Sequence, residues 1–313
     1  MTGLKILCPL LVLALVFSAC GQEEKIESEA TRVDALIVLS KEFALYDKAV
    51  EGFEGVFKGS RKILTMAGPE CYEDVLAEIR GTNPRVVLAV GLRAAKWIRH
   101  EAPETPTVFC MAMHPEDNDL KSDYMTGVQL EPSPKDQLSA FARILPDASK
   151  IGMLYDPKRT GRQVEQIKQA AADLGIRLTA RPVTSREEVP AAFLELAEDS
   201  QAFWLHRDAT VLTREFFNHS LMLQLSRRMP LIAYSKQFVH KGAFFSFAAT
   251  YPKQGRKAGE IANRILEGKS PAEIPIQYPE GTLSLNLRTG EMIGAVLPPI
   301  RSQLPPGEVY SVE

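Results

Sequence analysis

From residue 33 onward, short apolar runs rich in β-branched residues alternate with amphipathic stretches at helical spacing. This rhythm constrains the fold more than any other feature of the chain. Residues 35–39 (ALIVL), 63–66, 86–90 (VVLAV), 107–111 (TVFCM) and 125–130 read as strands. Helices are expected between them over 44–57, 72–79, 93–100 and 134–145. Strands that are apolar throughout are buried on both faces, as in a parallel sheet covered by helices. The series restarts after residues 146–149. Strands are then expected at 150–155 (KIGMLY), 177–182, 202–206 (AFWLH), 231–233 and 243–247. Helices are expected over 163–174, 185–197, 213–228 and 251–266, with Gly175 and Gly268 as stop signals. An extended piece at 282–287, a short helix and a Pro-rich tail close the chain. The expectation is an α/β protein of two Rossmann-like, doubly wound parallel-sheet lobes joined by a hinge. The N-terminal lobe spans 33–148 and the C-terminal lobe 149–250. Residues 251–313 form a hinge-crossing helix and tail, part of which returns to the first lobe.

The N-terminus has a different character. Met1-Thr-Gly-Leu-Lys5 precedes an apolar run at 6–17, then Ser18-Ala19-Cys20-Gly21. A cationic start, about a dozen apolar residues and small residues before a cut mark an export signal. A cysteine straight after the small pair resembles the lipobox of bacterial lipoproteins, with Phe17 where Leu is usual. The resemblance implies a signal peptide at 1–19, a lipidated Cys20 and a tether to residue 32. An uncleaved anchor would need a longer run; an ordinary cleaved signal with an incidental cysteine is the other alternative. Residues 21–31 are Glu-rich and aperiodic, and fully extended they reach about 35–40 Å. The expected location is the cell envelope, lipid-anchored to a membrane and facing periplasm or exterior.

Composition excludes several function classes. The 313 residues carry a net charge of −2, and removal of Lys5 with the leader makes it −3. No basic run suggests nucleic acid. Cys71 and Cys110 would either pair in an oxidising envelope or stay separate small apolar residues. No G-x-S-x-G, H-E-x-x-H or G-x-G-x-x-G motif occurs. Gly268-Lys269-Ser270 mimics the end of a phosphate loop, but Asn263 stands where its first Gly belongs and a helix precedes it. No catalytic residue, cofactor or metal is expected; His114 and His206 lack a third ligand at characteristic spacing.

Ligands of such sheets bind at the carboxyl ends of strands. Here those positions are Ser40-Lys41, Gly91-Leu92-Arg93, Met113-His114-Pro115, Tyr155-Asp156, His206-Arg207-Asp208 and Tyr234-Ser235. Two lobes facing one another with these loops would form a cleft that closes on a small molecule. Arg93, at a helix start, either holds an anion or is a solvated arginine. Asp208, with Thr210, either accepts from a ligand ammonium or caps a turn before Thr213. Tyr46, Tyr155, Tyr234 and Tyr251 offer faces for stacking, or are packing residues. Lys158, Arg159 and Arg162 form a basic cluster at a helix start.

Several segments in order carry a family resemblance: Val87-Leu-Ala-Val-Gly91 with Ala94-Ala95, Pro106-Thr-Val-Phe109, Met125-Thr-Gly-Val128, and Lys150-Ile-Gly-Met-Leu-Tyr-Asp-Pro157. Val189-Pro-Ala-Ala192, Gly255-Arg-Lys-Ala-Gly259 and Ile265-Leu-Glu-Gly-Lys-Ser-Pro271 follow. Together they resemble the ABC-importer substrate-binding proteins of the type I periplasmic-binding class, in the group with aromatic amino-acid binders. The resemblance implies a monomeric, bilobal lipoprotein that delivers a small amino-acid-like solute to an ABC permease in the inner membrane. It implies ligand contacts from Ser40, Tyr46, Gly91, Leu92, Arg93, His114, Tyr155, Asp156, Asp208, Thr210, Tyr234, Ser235 and Tyr251. The loops depart from the family: Gly91-Leu92-Arg93, Met113-His114-Pro115 and 156–160 replace hydroxyl- and amide-rich turns. A ligand-sensing module for a membrane signalling protein is the alternative, and an envelope hydrolase a third.

Overall fold

A computed structural model describes residues 33–295 and 309–310. The expected leader, Cys20 and tether lie outside the described residues. In the first lobe come β1 (Ala35–Leu39), α1 (Ala44–Glu54), β2 (Arg61–Thr65), α2 (Glu70–Thr82), β3 (Val86–Val90), α3 (Leu92–Glu101), β4 (Thr107–Cys110) and β5 (Met125–Gly127). They form a parallel sheet in the order β2-β1-β3-β4-β5, with Ala35 opposite both Arg61 and Val86. The central strands are buried along their whole length. Alternate side chains therefore feed two cores. Ile37, Leu88 and Val108 face one side, and Leu36, Val87 and Phe109 face the other. Each such side chain contributes roughly 1.5–3 kcal/mol when buried.

The second lobe contains α4 (Pro134–Ile144), β6 (Lys150–Tyr155), α5 (Pro157–Asp173), β7 (Arg177–Pro182), α6 (Val189–Glu198), β8 (Ala202–Trp204), α7 (Arg214–Arg227), β9 (Leu231–Ala233), α8 (Lys236–His240) and β10 (Phe245–Ala248). The chain then makes α9 (Tyr251–Leu266) and a single 3-10 turn before β11 (Thr282–Asn286), α10 (Leu287–Ile293) and β12 (Val309–Tyr310). The sheet order is β12-β11-β10-β9-β8-β6-β7. It is parallel except where β11 runs against β10. β10 ends at the hinge and β11 starts there, so the two run in opposite directions.

Several elements differ from the sequence reading in their bounds or existence. Helix α4 packs through Leu138, Phe141 and Ile144 into the second-lobe core, with Met153 and Phe245. The chain therefore crosses between lobes at 128–133, before α4, rather than near residue 146. Helix α5 begins at Pro157, six residues earlier than its apolar periodicity suggests. Asp156 caps it by accepting from the Lys158 N–H (2.9 Å), with Pro157 in the first turn. That turn is almost wholly polar and carries no periodic signal. The short α8 was not expected.

Helix α9 leaves the second sheet and lies against α1, with Ala258, Ile261 and Ala262 in the first-lobe core. The approach is close because glycines line it. A Cβ at Gly255 would stand 1.7 Å from the Ala49 carbonyl oxygen, and one at Gly52 2.0 Å from that of Pro252. From the first lobe the chain returns past Gln277, which exchanges backbone hydrogen bonds with Gly127 and Gln129 (2.9 and 2.8 Å). Three crossings thus join the lobes. Cys71 and Cys110 are unpaired thiols, and burial pushes the Cys110 thiol up to about 12.

Candidate functional site

Between the lobes, beside the crossings, lies a cavity of about 270 Å³. The first lobe lines it with Phe43, Leu45, Tyr46, Met111 and Met113. The crossings supply Leu130, Glu131, Ala248, Ala249, Tyr251 and Gln254, and the second lobe Arg207, Tyr234 and Ser235.

The aromatic wall of the first lobe is built from strand ends. Ser40 follows β1, and its hydroxyl accepts from the Ala94 N–H at the start of α3 (2.9 Å). The Tyr46 hydroxyl bonds the Ser40 side chain, and burial pushes its pKa up. Phe43 meets Tyr46 edge-on at 5.3 Å between centroids. Gly91, at φ +94°, makes room: a Cβ there would stand 2.4 Å from the Tyr46 oxygen and 2.6 Å from the Ser40 hydroxyl. Gly91 and Ser40 thus hold the wall without lining the cavity.

The opposite wall carries the charges. Arg207 follows β8, and its guanidinium lies 4.3 Å from the Tyr234 ring centroid. Its Nε donates to Glu131 Oε1 at 2.8 Å. Burial alone would raise the Glu131 pKa, but the carboxyl is held below its ordinary value, with the charge and hydrogen bond of Arg207 foremost among the opposing causes. Gln254 is buried; its amide nitrogen donates to the Leu130 carbonyl (3.2 Å), and its Oε1 has no partner among the described residues.

The remaining expected residues are placed elsewhere. Asp208 is buried in a network that ties three loops. Its Oδ2 accepts from the Asp156 N–H (2.8 Å) and the Thr160 hydroxyl (2.6 Å), and its Oδ1 from the Thr210 and Val211 N–H groups (2.8 and 3.3 Å). Thr210 donates its hydroxyl to Asp156 Oδ2 (2.7 Å). Asp156, Asp208 and Thr210 therefore spend their polar atoms on one another. Tyr155 packs in the second-lobe core. Arg93 is exposed and donates to the Met66 carbonyl (2.5 Å), while Leu92 packs on the first-lobe core.

His114, at φ +47°, borders a second, smaller cavity of about 70 Å³ with Glu116, Gln129, Gln163, His206 and Tyr278. This cavity and the larger one share Met113, Leu130, Glu131 and Arg207 as lining. Among the described residues no group of three His, Cys, Asp or Glu side chains could hold a metal ion.

Of the expected contacts, Tyr46, Tyr234, Ser235 and Tyr251 meet in the larger cavity. Phe43, Met111, Met113, Leu130, Glu131, Arg207 and Gln254 were not singled out as ligand contacts. Arg207 sits inside a named strand-end turn, so position alone could have found it. Glu131 and Gln254 reach the cleft only through the crossings and leave no local signal.

A two-lobed α/β frame with a polar and aromatic cleft defines a solute-binding protein. The chain belongs to the family described as ABC transporter substrate binding protein, which it matches over residues 65–297. An uncharacterised protein of Rickettsia prowazekii is 24% identical over 286 residues, covering 90% of this chain and 88% of that protein. A tyrosine-binding protein of Clostridioides difficile is 26% identical over 141 residues, 44% of this chain and 40% of that one. Among solved structures, a ligand-free, open substrate-binding protein with adhesive properties from Clostridium difficile aligns with TM-score 0.71 at 18% identity, over 89% of this chain and 98% of that one. An ABC domain from Streptococcus pneumoniae in complex with L-tryptophan aligns with TM-score 0.59 at 18% identity, over 88% and 100%.

Proposed function

We propose that the larger cavity binds an amino-acid-like solute with an aromatic side chain, and that the chain hands it to an ABC permease while tethered through a lipidated Cys20. The observation that carries this reading is one cavity holding four aromatic rings from both lobes around a single Arg–Glu pair. Arg207 meets the solute carboxylate. Glu131 and the unpartnered Oε1 of Gln254 meet the ammonium. Phe43, Tyr46, Tyr234 and Tyr251 receive the ring. The relatives described as binding tyrosine and L-tryptophan support the same solute class.

The test is a thermal shift of the full chain with L-tryptophan, L-tyrosine and L-phenylalanine, against simple carboxylates and phosphates. A hundredfold excess over Kd stabilises the folded state by about 2.7 kcal/mol. The expected result is a shift with at least one aromatic amino acid that Arg207→Ala removes. A shift with simple anions only would overturn the solute class. For the anchor, Cys20→Ser is expected to release the protein from membranes or leave it uncleaved; membrane retention of a mature-sized product would overturn lipidation.

A further inference from the structure

His206 is 5% exposed, and neither of its ring nitrogens has a hydrogen-bond partner among the described residues. Leaving such groups unpaired in a low-dielectric site is costly, so an occupant that pairs them gains by doing so. Both nitrogens belong to a side chain bordering the smaller cavity. Gln163 borders the same cavity. Its amide nitrogen donates to Asp117 Oδ2 at 2.8 Å. Asp117 is an acceptor only, so the amide orientation is fixed and Oε1 is turned away from it. That Oε1 is also buried and without a partner among the described residues. Of the other glutamines at the wall, Gln137 donates to the Pro132 carbonyl (2.9 Å), Gln129 donates to Glu116, and Gln166 is exposed to solvent.

These atoms set the chemistry of an occupant. Burial, against the pull of Glu131 and Asp208, holds the His206 pKa below its ordinary value, so the ring is neutral at neutral pH. A neutral imidazole presents one donor and one acceptor, and Gln163 Oε1 adds an acceptor. An anion would face Gln163 Oε1 and the Glu116 and Glu131 carboxylates. A cation would lie beside Arg207 and leave the imidazole N–H unmet. A neutral group that both donates and accepts satisfies every orphan atom. At about 70 Å³ against about 270 Å³ for the larger cavity, the space suits a substituent of the solute rather than its main body.

We propose that the His206–Gln163 cavity is a second ligand subsite, which takes a neutral carboxamide or hydroxyl carried by the solute bound in the larger cavity. It rests on the cleft reading above, because the two cavities share four lining residues.

The test is calorimetric titration of the full chain with L-phenylalanine, β-hydroxy-L-phenylalanine and β-carbamoyl-L-phenylalanine, which differ only in the group carried next to the charged end that Arg207 and Glu131 hold, where the two cavities meet. The expected result is that the hydroxyl or carboxamide compound binds about tenfold tighter than L-phenylalanine. His206→Phe should abolish that preference while leaving L-phenylalanine affinity within about twofold, and His206→Asn should keep part of it. Equal affinities in the wild type, or a preference that His206→Phe leaves intact, would overturn the subsite. If none of the three binds and L-tryptophan does not bind either, the cleft reading fails; whenever the three do not bind, acetamide titration read on the His206 ring ¹⁵N shifts decides the cavity by itself. A saturable shift there with acetamide, absent with acetate and methylammonium, supports the subsite; no saturable shift overturns it.

Discussion

Asp208 shows how one residue can look like a ligand contact and be spent on architecture. Its two carboxylate oxygens accept four hydrogen bonds from Asp156, Thr160, Thr210 and Val211. Asp208→Ala should strand these buried donors and cost about 3 kcal/mol or more, read as a lower midpoint in urea unfolding. A variant that unfolds like wild type would show that the network carries no stability. Asp156 adds a pH dependence. The Thr210 hydroxyl, then the Lys158 N–H and the charges of Arg159 and Lys158, outweigh burial and lower its pKa. A depressed folded pKa means stability present above the unfolded value of about 3.9 and lost as pH falls through the folded one. Asp156→Asn should flatten the fall in stability below about pH 4, measured by denaturant titration at several pH values. The sequence placed both aspartates at strand ends. It could not show that they face each other, because β6 and β8 become neighbours only in the sheet.

At the scale of elements, the pairing of α1 with α9 is the contact that fastens the returning chain to the first lobe. Gly255 and Gly259, part of the segment that carried the family resemblance, lie where α9 meets α1. A Cβ at position 255 would collide with backbone rather than with a flexible side-chain end. Gly255→Ala should force the helices apart and destabilise by about 2–3 kcal/mol, with faster amide exchange in α1 and α9 than in α7. Unchanged exchange in α1 would contradict a tight seam. Helix existence was readable almost throughout, since apolar spacing marks each buried face. The start of α5 was not, because residues 157–162 bury almost nothing but Thr160. Its signal was the Asp156–Pro157 cap, which reads equally well as a ligand loop.

At the scale of the whole molecule, the two lobes touch at the cleft edge through Asp117. It accepts from Gln163 (2.8 Å) and lies 3.6 Å from Arg162. Exposed ion pairs contribute about 1 kcal/mol at most, so Asp117→Ala should weaken solute binding by no more than about fivefold. The same change should increase the radius of gyration measured by small-angle scattering in the absence of solute. A larger loss of affinity would mean that this edge governs closure rather than assisting it. The sequence by itself determined the α/β class and the two parallel-sheet lobes, because fully apolar strands and helical periodicity are local records of burial on two faces. Only the tertiary structure decided where the lobes divide, that α9 fastens onto α1, and that β11 joins the second sheet antiparallel. The cleft was likewise decided there. Phe43, Glu131, Arg207 and Gln254 come from four separate stretches, and their shared cavity depends on three chain crossings whose path no local pattern records.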